Sequence, residues 1–146
     1  MSIKVNILDS TPIYHIGEAA TILGISVHTI RMYEKEGLIL PRKTSTNQRV
    51  YSKKDLDKIQ CIRNSIREKK VGINGIKIIY SLIPCWEVIK CSEEDRKNCG
   101  AFNSYEKPCW NYNHPNTVCE NKECVDCDVY QEYTHCDKIK ELIKTI

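Results

Sequence analysis

At 146 residues, with 41% hydrophobic and 28% charged residues, the chain has the length of one ordinary domain or two small ones and enough apolar content for a packed core. No apolar run reaches the roughly 20 residues that span a bilayer, and MSIKVNILDSTP lacks the pattern of an export signal, so a cytoplasmic protein without a membrane partner is expected. The net charge of +3 hides an asymmetry, because residues 1–83 carry 14 Lys and Arg against 7 Asp and Glu while residues 84–146 carry 8 against 12. A basic excess confined to one half is the electrostatic footprint of a phosphate-bearing partner.

Taken in chain order, Ile16, Ala19, Ala20 and Leu23 recur at helical spacing after Thr11-Pro12. Gly24 then allows a turn, and Ser26 is a natural N-cap for a second helix in which Val27, Ile30 and Tyr33 or Glu34 follow the 3-4 spacing. His28, Thr29, Arg31 and Lys35 are left on its outer side. Gly37 stops that helix, Leu38-Ile39-Leu40 reads as a strand closed by Pro41, and Gln48-Arg49-Val50-Tyr51 reads as the return strand of a basic hairpin that includes Lys43. Ser52 and Asp55 form a capping-box pattern for a third helix reaching about Lys69, with Leu56, Ile59, Ile62 and Ile66 inward and Cys61 off that stripe. A fourth helix, 75–82, presents Ile76, Ile79, Tyr80 and Ile83 before Pro84. Helix, turn, helix and hairpin in this order supply one helix for a major groove and a wing for the backbone beside it.

TIRMYEKEGLI, the NQRVYS wing and the helix pair that follows resemble the MerR family of transcription regulators over residues 13–83, and Thr-Ile-Arg-Met-Tyr-Glu with Val71 to Lys77 is similar to its heat-shock repressor branch. The resemblance implies a winged helix-turn-helix that binds double-stranded DNA as a homodimer at a two-fold site and meets RNA polymerase at the promoter. It implies phosphate contacts from Arg31 and Tyr33 on the recognition helix and from Arg49 and Tyr51 on the wing. It also reads Cys61 as a packed residue. Ser26, His28 and Thr29 sit at the helix start, where base edges are usually read, and Lys43 adds a wing cation. No nucleophile–base pair, phosphate loop or dinucleotide fingerprint is present, so no enzyme is expected.

The second half is organised by its cysteines. Pro84-Cys85-Trp86, Cys91 and Cys99-Gly100-Ala101-Phe102 form one unit, and Pro108-Cys109-Trp110, Cys119 and Cys127-Asp128-Val129-Tyr130 form another, an internal repeat of about 24 residues. Cys124 and Cys136 are additions to it. Repeats this short bury little apolar area, so thiolate–metal bonds are expected to hold them, with Cys85, Cys91, Cys99, Cys109, Cys119, Cys124 and Cys127 as candidate ligands. The single Cys-x-x-Cys and the wide spacing elsewhere favour an iron–sulfur cluster over zinc, with a thiol–disulfide switch as a further possibility. His114, beside Pro115, is a candidate to replace a cysteine as ligand, with a solvated loop residue the favoured reading, and Trp86 and Trp110 read as core or as shields of a cluster.

The expected architecture is mainly α: a four-helix winged helix-turn-helix with a β-hairpin over 1–83, a metal-stabilised cysteine-rich module over 84–127 and a C-terminal amphipathic helix over 128–146. Pro84-Cys85 falls where the MerR dimerisation helix would begin, and Tyr133, Cys136, Ile139, Ile143 and Ile146 offer a substitute stripe. The leading functional expectation is a dimeric regulator whose cysteines act as a metal or iron–sulfur sensor. The alternative is an excisionase-like architectural protein with purely structural zinc.

Overall fold

A computed structural model describes residues 7–134 and 138–145. The chain divides between Arg63 and Asn64 into two compact bodies, and no helix among the described residues is long and apolar enough to cross a membrane.

The first body runs α1 (Ile7–Ser10), β1 (Tyr14–His15), α2 (Ile16–Leu23), α3 (Val27–Lys35), β2 (Arg42–Lys43), β3 (Arg49–Tyr51) and the start of α4 (Lys53–Arg67). Gly24 ends α2 with φ at 66°, a left-handed conformation that any side chain would strain, and so lets α3 depart at a sharp turn. Ser26 caps α3 by accepting the Thr29 backbone N–H at 3.1 Å. Gly37, with φ at 76°, closes it, and Leu38 and Ile39 then drop into the core at 0% and 3% exposure.

The expected hairpin forms one step further along than the sequence indicated. Leu38 to Leu40 is core-filling linker, and the outgoing strand is Arg42–Lys43, beyond Pro41. Its register pairs Arg42 with Val50 and Lys43 with Arg49. Tyr14–His15, which carried no strand signal, pairs with Tyr51 and Val50, giving a three-stranded antiparallel sheet in the order β1-β3-β2. Asn47, at φ 63°, turns the wing tip, and Thr44 Oγ1 accepts the Gln48 N–H at 3.1 Å. The capping box opening α4 is formed as expected, with Ser52 N–H on Asp55 Oδ2 at 2.8 Å and Asp55 N–H on Ser52 Oγ at 3.1 Å. Leu56, Ile59 and Ile62 are its buried stripe, and Cys61 is half-buried beside it.

The second body contains α5 (Ile73–Ser81), α6 (Cys85–Ile89), α7 (Glu93–Asn98), 3-10 turns at Cys109–Asn111 and Cys124–Asp126, α8 (Asp128–Glu132) and α9 (Lys138–Lys144). Helix α5, which the sequence pattern grouped with the winged domain, packs within this second body. The reason is Tyr80, whose ring meets Trp110 at 5.5 Å and whose hydroxyl donates to Thr134 O at 3.2 Å. Ile76, Tyr80 and Ile83 point inward, while Ile79, expected inside, is 44% exposed.

The repeat is visible in three dimensions as two equivalent aromatic pairs. Trp86 meets Phe102 edge-on at 5.0 Å and 79°, and Trp110 meets Tyr130 edge-on at 5.2 Å and 86°. In each unit the tryptophan after the first cysteine packs on the aromatic three residues beyond the last, with buried Ala101 or Val129 beside it.

The continuous C-terminal helix does not form. Helix α8 ends at Glu132, Tyr133 leaves the helical region at φ −110° and ψ 11°, and Thr134, fully buried, donates its hydroxyl to Tyr130 O at 2.6 Å. Thr134 O accepts the Tyr80 hydroxyl, which fastens the chain to α5 where α8 has ended. In α9 Leu142 is buried and Ile143 is 53% exposed, so the expected stripe is not one face. Cys136 and Ile146 lie outside the described residues.

Trp110→Ala should cost about 3–5 kcal/mol in urea unfolding, the range for deleting a large buried aromatic. Phe102→Ala, at a site 38% exposed, should cost less than half as much.

Candidate nucleic-acid interface and metal centre

The outer side of α3 carries His28, Arg31 and Lys35, all exposed and spaced three and four residues apart along one face. Next to it lies an open hollow of about 460 Å³ lined by His15, Ile16, Arg31, Asn47, Gln48 and Arg49. Three elements converge there: the recognition helix through Arg31, the wing tip through Asn47 to Arg49, and the start of α2 through His15 and Ile16. Two guanidinium groups, the wing amides and a helix N-terminus are the donor set that suits a phosphate. Lys43 is exposed and lies directly across the hairpin from Arg49, on the same face.

One buried carboxylate organises this surface. Glu34, on the inner side of α3 and 7% exposed, accepts Arg49 Nε at 2.7 Å and the Tyr51 hydroxyl. Burial, then the bond to Glu34, pushes the Tyr51 phenol far above its ordinary pKa, so it stays a proton donor. Bonding to Glu34 likewise raises the Arg49 guanidinium. The wing is thus tied to the recognition helix by a charge-assisted fork.

In the second body, Cys85, Cys91, Cys99, Cys109, Cys119, Cys124 and Cys127 all line one cavity of about 50 Å³, with Trp86, Phe102, Trp110, Val129 and Tyr130 among its walls. This is room for more than a single water, in apolar surroundings. The thiols of Cys85 and Cys109, the first cysteines of the two repeats, hydrogen-bond to each other. That bond holds the Cys85 thiol below its ordinary pKa and, with burial, pushes Cys109 far up, so the pair gives up one proton far more readily than two. Burial lifts Cys119 to about 11 and raises Cys124 as well. Arg96 favours the Cys85 thiolate electrostatically, and its buried Nε has no hydrogen-bond partner among the described residues.

Cys99 ends α7, and the Asn103 amide gathers the carbonyls of Arg96, Lys97 and Cys99 at 3.0, 3.3 and 2.9 Å. Across from it, His114 places Nδ1 3.6 Å from Cys99 Sγ and Nε2 3.0 Å from Cys109 O. His114 is half-buried and lines the cavity, so it is not the solvated loop residue that its sequence context indicated. Among the described residues no three His, Cys, Asp or Glu side chains converge closely enough to hold an ion as they stand.

A family model described as MerR HTH family regulatory protein matches residues 14–82. Residues 14–82 are a MerR-family helix-turn-helix domain. A putative heat shock protein HspR of Streptomyces coelicolor is 31% identical over 74 residues, 51% of this chain and 49% of that protein. An HTH-type transcriptional regulator ZntR homolog of Haemophilus influenzae is 40% identical over 68 residues, 46% and 50% of the two chains. A probable heavy metal-dependent transcriptional regulator of the same organism is 33% identical over 86 residues, 58% and 59%. The last two are transcriptional regulators by name, and the chain spans about half the length of these relatives. The cysteine body lies mostly outside the MerR match, which ends at residue 82.

Within the MerR domain, Arg31, His28 and Lys43 occupy the expected open surface and Arg49 is partly open, but Tyr33 and Tyr51 do not. Tyr33 is 2% and Tyr51 1% exposed, and the Tyr51 hydroxyl is committed to Glu34. The aromatic rings belong to the core, and the Tyr51 hydroxyl shares Glu34 with Arg49. Ser26 spends its side chain on the cap and on the Thr29 hydroxyl, 2.9 Å away. His15, Asn47 and Gln48 were missed by sequence reasoning. Only the pairing of β1 with β3, a contact over 35 residues of chain, brings His15 to the hollow.

Glu34→Gln in the MerR domain leaves Arg49 and Tyr51 on a neutral amide. It should cost about 1.5–3 kcal/mol in thermal or urea unfolding, the range for a hydrogen bond to a charged group.

Proposed function

We propose that this protein is a MerR-like transcription regulator that binds double-stranded DNA through the hollow between α3, the wing and the start of α2. The observation that carries the reading is the convergence of Arg31, Arg49 and His15 on that hollow in a MerR-family domain. A phosphate seated there would receive charged and backbone donors at once, while His28 and its neighbours at the start of α3 face the base edges. The basic excess of residues 1–83 supplies the long-range attraction.

The functional unit is a homodimer on a two-fold operator, acting at a promoter in the cytoplasm in concert with RNA polymerase. Two-fold sites reward two-fold proteins. Exposed Ile78, Ile79 and Leu82, on α5 and just beyond it, support an apolar contact by which copies associate. The cysteine body is the sensor: its thiols hold a metal or iron–sulfur centre whose gain or loss alters DNA binding. The likeness to a probable heavy metal-dependent regulator supports this, as does the gathering of seven thiols around one cavity.

Arg31→Ala tests the DNA reading with a residue that no other structural duty ties down. The full-length variant should bind promoter DNA from its own operon less tightly at every sequence, and the slope of log affinity against log salt should flatten by about 1, the signature of one lost phosphate contact. An unchanged slope and affinity would remove the hollow from the interface.

A further inference from the structure

The reading of the cysteine cavity as a metal centre leaves open what its ligands are, and the geometry around His114 answers part of that. We propose that His114 is a metal ligand through Nδ1, paired with Cys99 on the same metal atom. The inference rests on the cavity holding metal, as proposed above, and goes beyond it by adding a nitrogen donor to a set otherwise made of sulfur.

The first observation is the spacing. Cys99 Sγ and His114 Nδ1 are 3.6 Å apart, and both residues line the cavity. A tetrahedral ion with a sulfur ligand at about 2.3 Å and a nitrogen ligand at about 2.0–2.1 Å separates the two by about 3.6 Å. The pair therefore already stands at the edge length of a coordination tetrahedron.

The second observation fixes the tautomer. His114 Nε2 lies 3.0 Å from the backbone carbonyl of Cys109, which can only accept, so Nε2 carries the proton. In the neutral ring Nδ1 is then a lone pair, and it faces Cys99. As it stands Nδ1 accepts from the Cys99 thiol, whose proton a metal would displace, and a ring N–H donated to a backbone carbonyl from the other nitrogen is the usual support of a metal-bound histidine. The chain on either side is pinned too: Thr117 Oγ1 donates to His114 O at 2.9 Å, and the Asn103 amide holds the carbonyl of Cys99.

The arrangement also discriminates between kinds of centre. In a four-iron cubane four protein ligands serve four irons, one each. Two ligands an edge length apart belong instead to a single ion, or to one iron of a two-iron cluster. His114 comes from the second repeat and Cys99 from the first, so the shared metal atom bridges the repeats. The other ligands are drawn from the remaining thiols of the cavity as the metal closes it.

Zinc K-edge X-ray absorption on the full-length chain, stripped under anaerobic reducing conditions and reloaded with zinc alone, tests this. The wild type should show a nitrogen shell at about 2.0–2.1 Å beside sulfur at about 2.3 Å. His114→Ala should lose the nitrogen shell and bind zinc at least about tenfold more weakly. His28→Ala, a histidine of the other body, should change neither. Should His114→Ala fail to fold, His114→Cys keeps a ligand in place and should bind zinc with sulfur alone. A sulfur-only shell in the wild type, or a nitrogen shell surviving in His114→Ala, would overturn the assignment while leaving a metal centre standing. Failure of the wild type to take up zinc at all would remove the metal centre and this ligand with it.

Discussion

The stretch from Pro84 to Thr134 has little with which to hold itself together. Its buried side chains are Pro84, Ala101, Pro108, Trp110, Val129, Tyr130 and Thr134, and around them stand seven half-buried thiols facing one apolar cavity. An assembly of short helices and 3-10 turns with so small a core depends on cross-links of some kind. Thiols are expensive to leave there as anions: burial raises Cys119 and Cys124, and it adds to the bond with Cys85 in raising Cys109. A metal bound there, as proposed, would reverse that preference by taking the deprotonated form, so that filling the cavity and consolidating the body would be one event.

The winged body is ordered around a buried carboxylate: Glu34 fixes Arg49 and Tyr51, and Tyr51 in turn pairs with Tyr14 beside His15. The recognition helix, the wing and the start of α2 are therefore positioned by one network, and the hollow they share inherits its shape from it. The MerR match extends from this body into α5, while α5 packs through Tyr80 onto Trp110 of the cysteine repeats. The covalent path from one body to the other runs through α4, within which the division falls. Helix α5 thus lies both in the MerR match and in the body that carries the cysteines.

Much of this was legible in the sequence where local rules decide the outcome. Gly24, Ser26, Gly37 and the Ser52–Asp55 box did what their chemistry dictates, and the helix-turn-helix follows from them. The repeat was legible as well, and it returns as the matched pairs Trp86–Phe102 and Trp110–Tyr130. What escaped depends on contacts distant along the chain. Tyr51 looks like a surface contact until Glu34, 17 residues away, is seen to hold its hydroxyl. The C-terminal periodicity reads as one helix until Tyr80, 54 residues away, is seen to capture Thr134 O. His114 looks solvated until the fold sets it between Cys99 and the Cys109 carbonyl. The outgoing wing strand slid past Pro41 because Leu38 and Ile39 were needed in the core.

Under the proposed function the two bodies are one device, in which the state of the thiol-lined cavity governs how the MerR domain holds DNA. The most direct test is the affinity of full-length protein for its promoter DNA, measured anaerobically on one preparation before and after metal is removed by a chelator. The account predicts that affinity or DNA distortion changes on removal and is restored when the metal is returned. Identical binding by the loaded and the stripped protein, with both folded by circular dichroism, would contradict it.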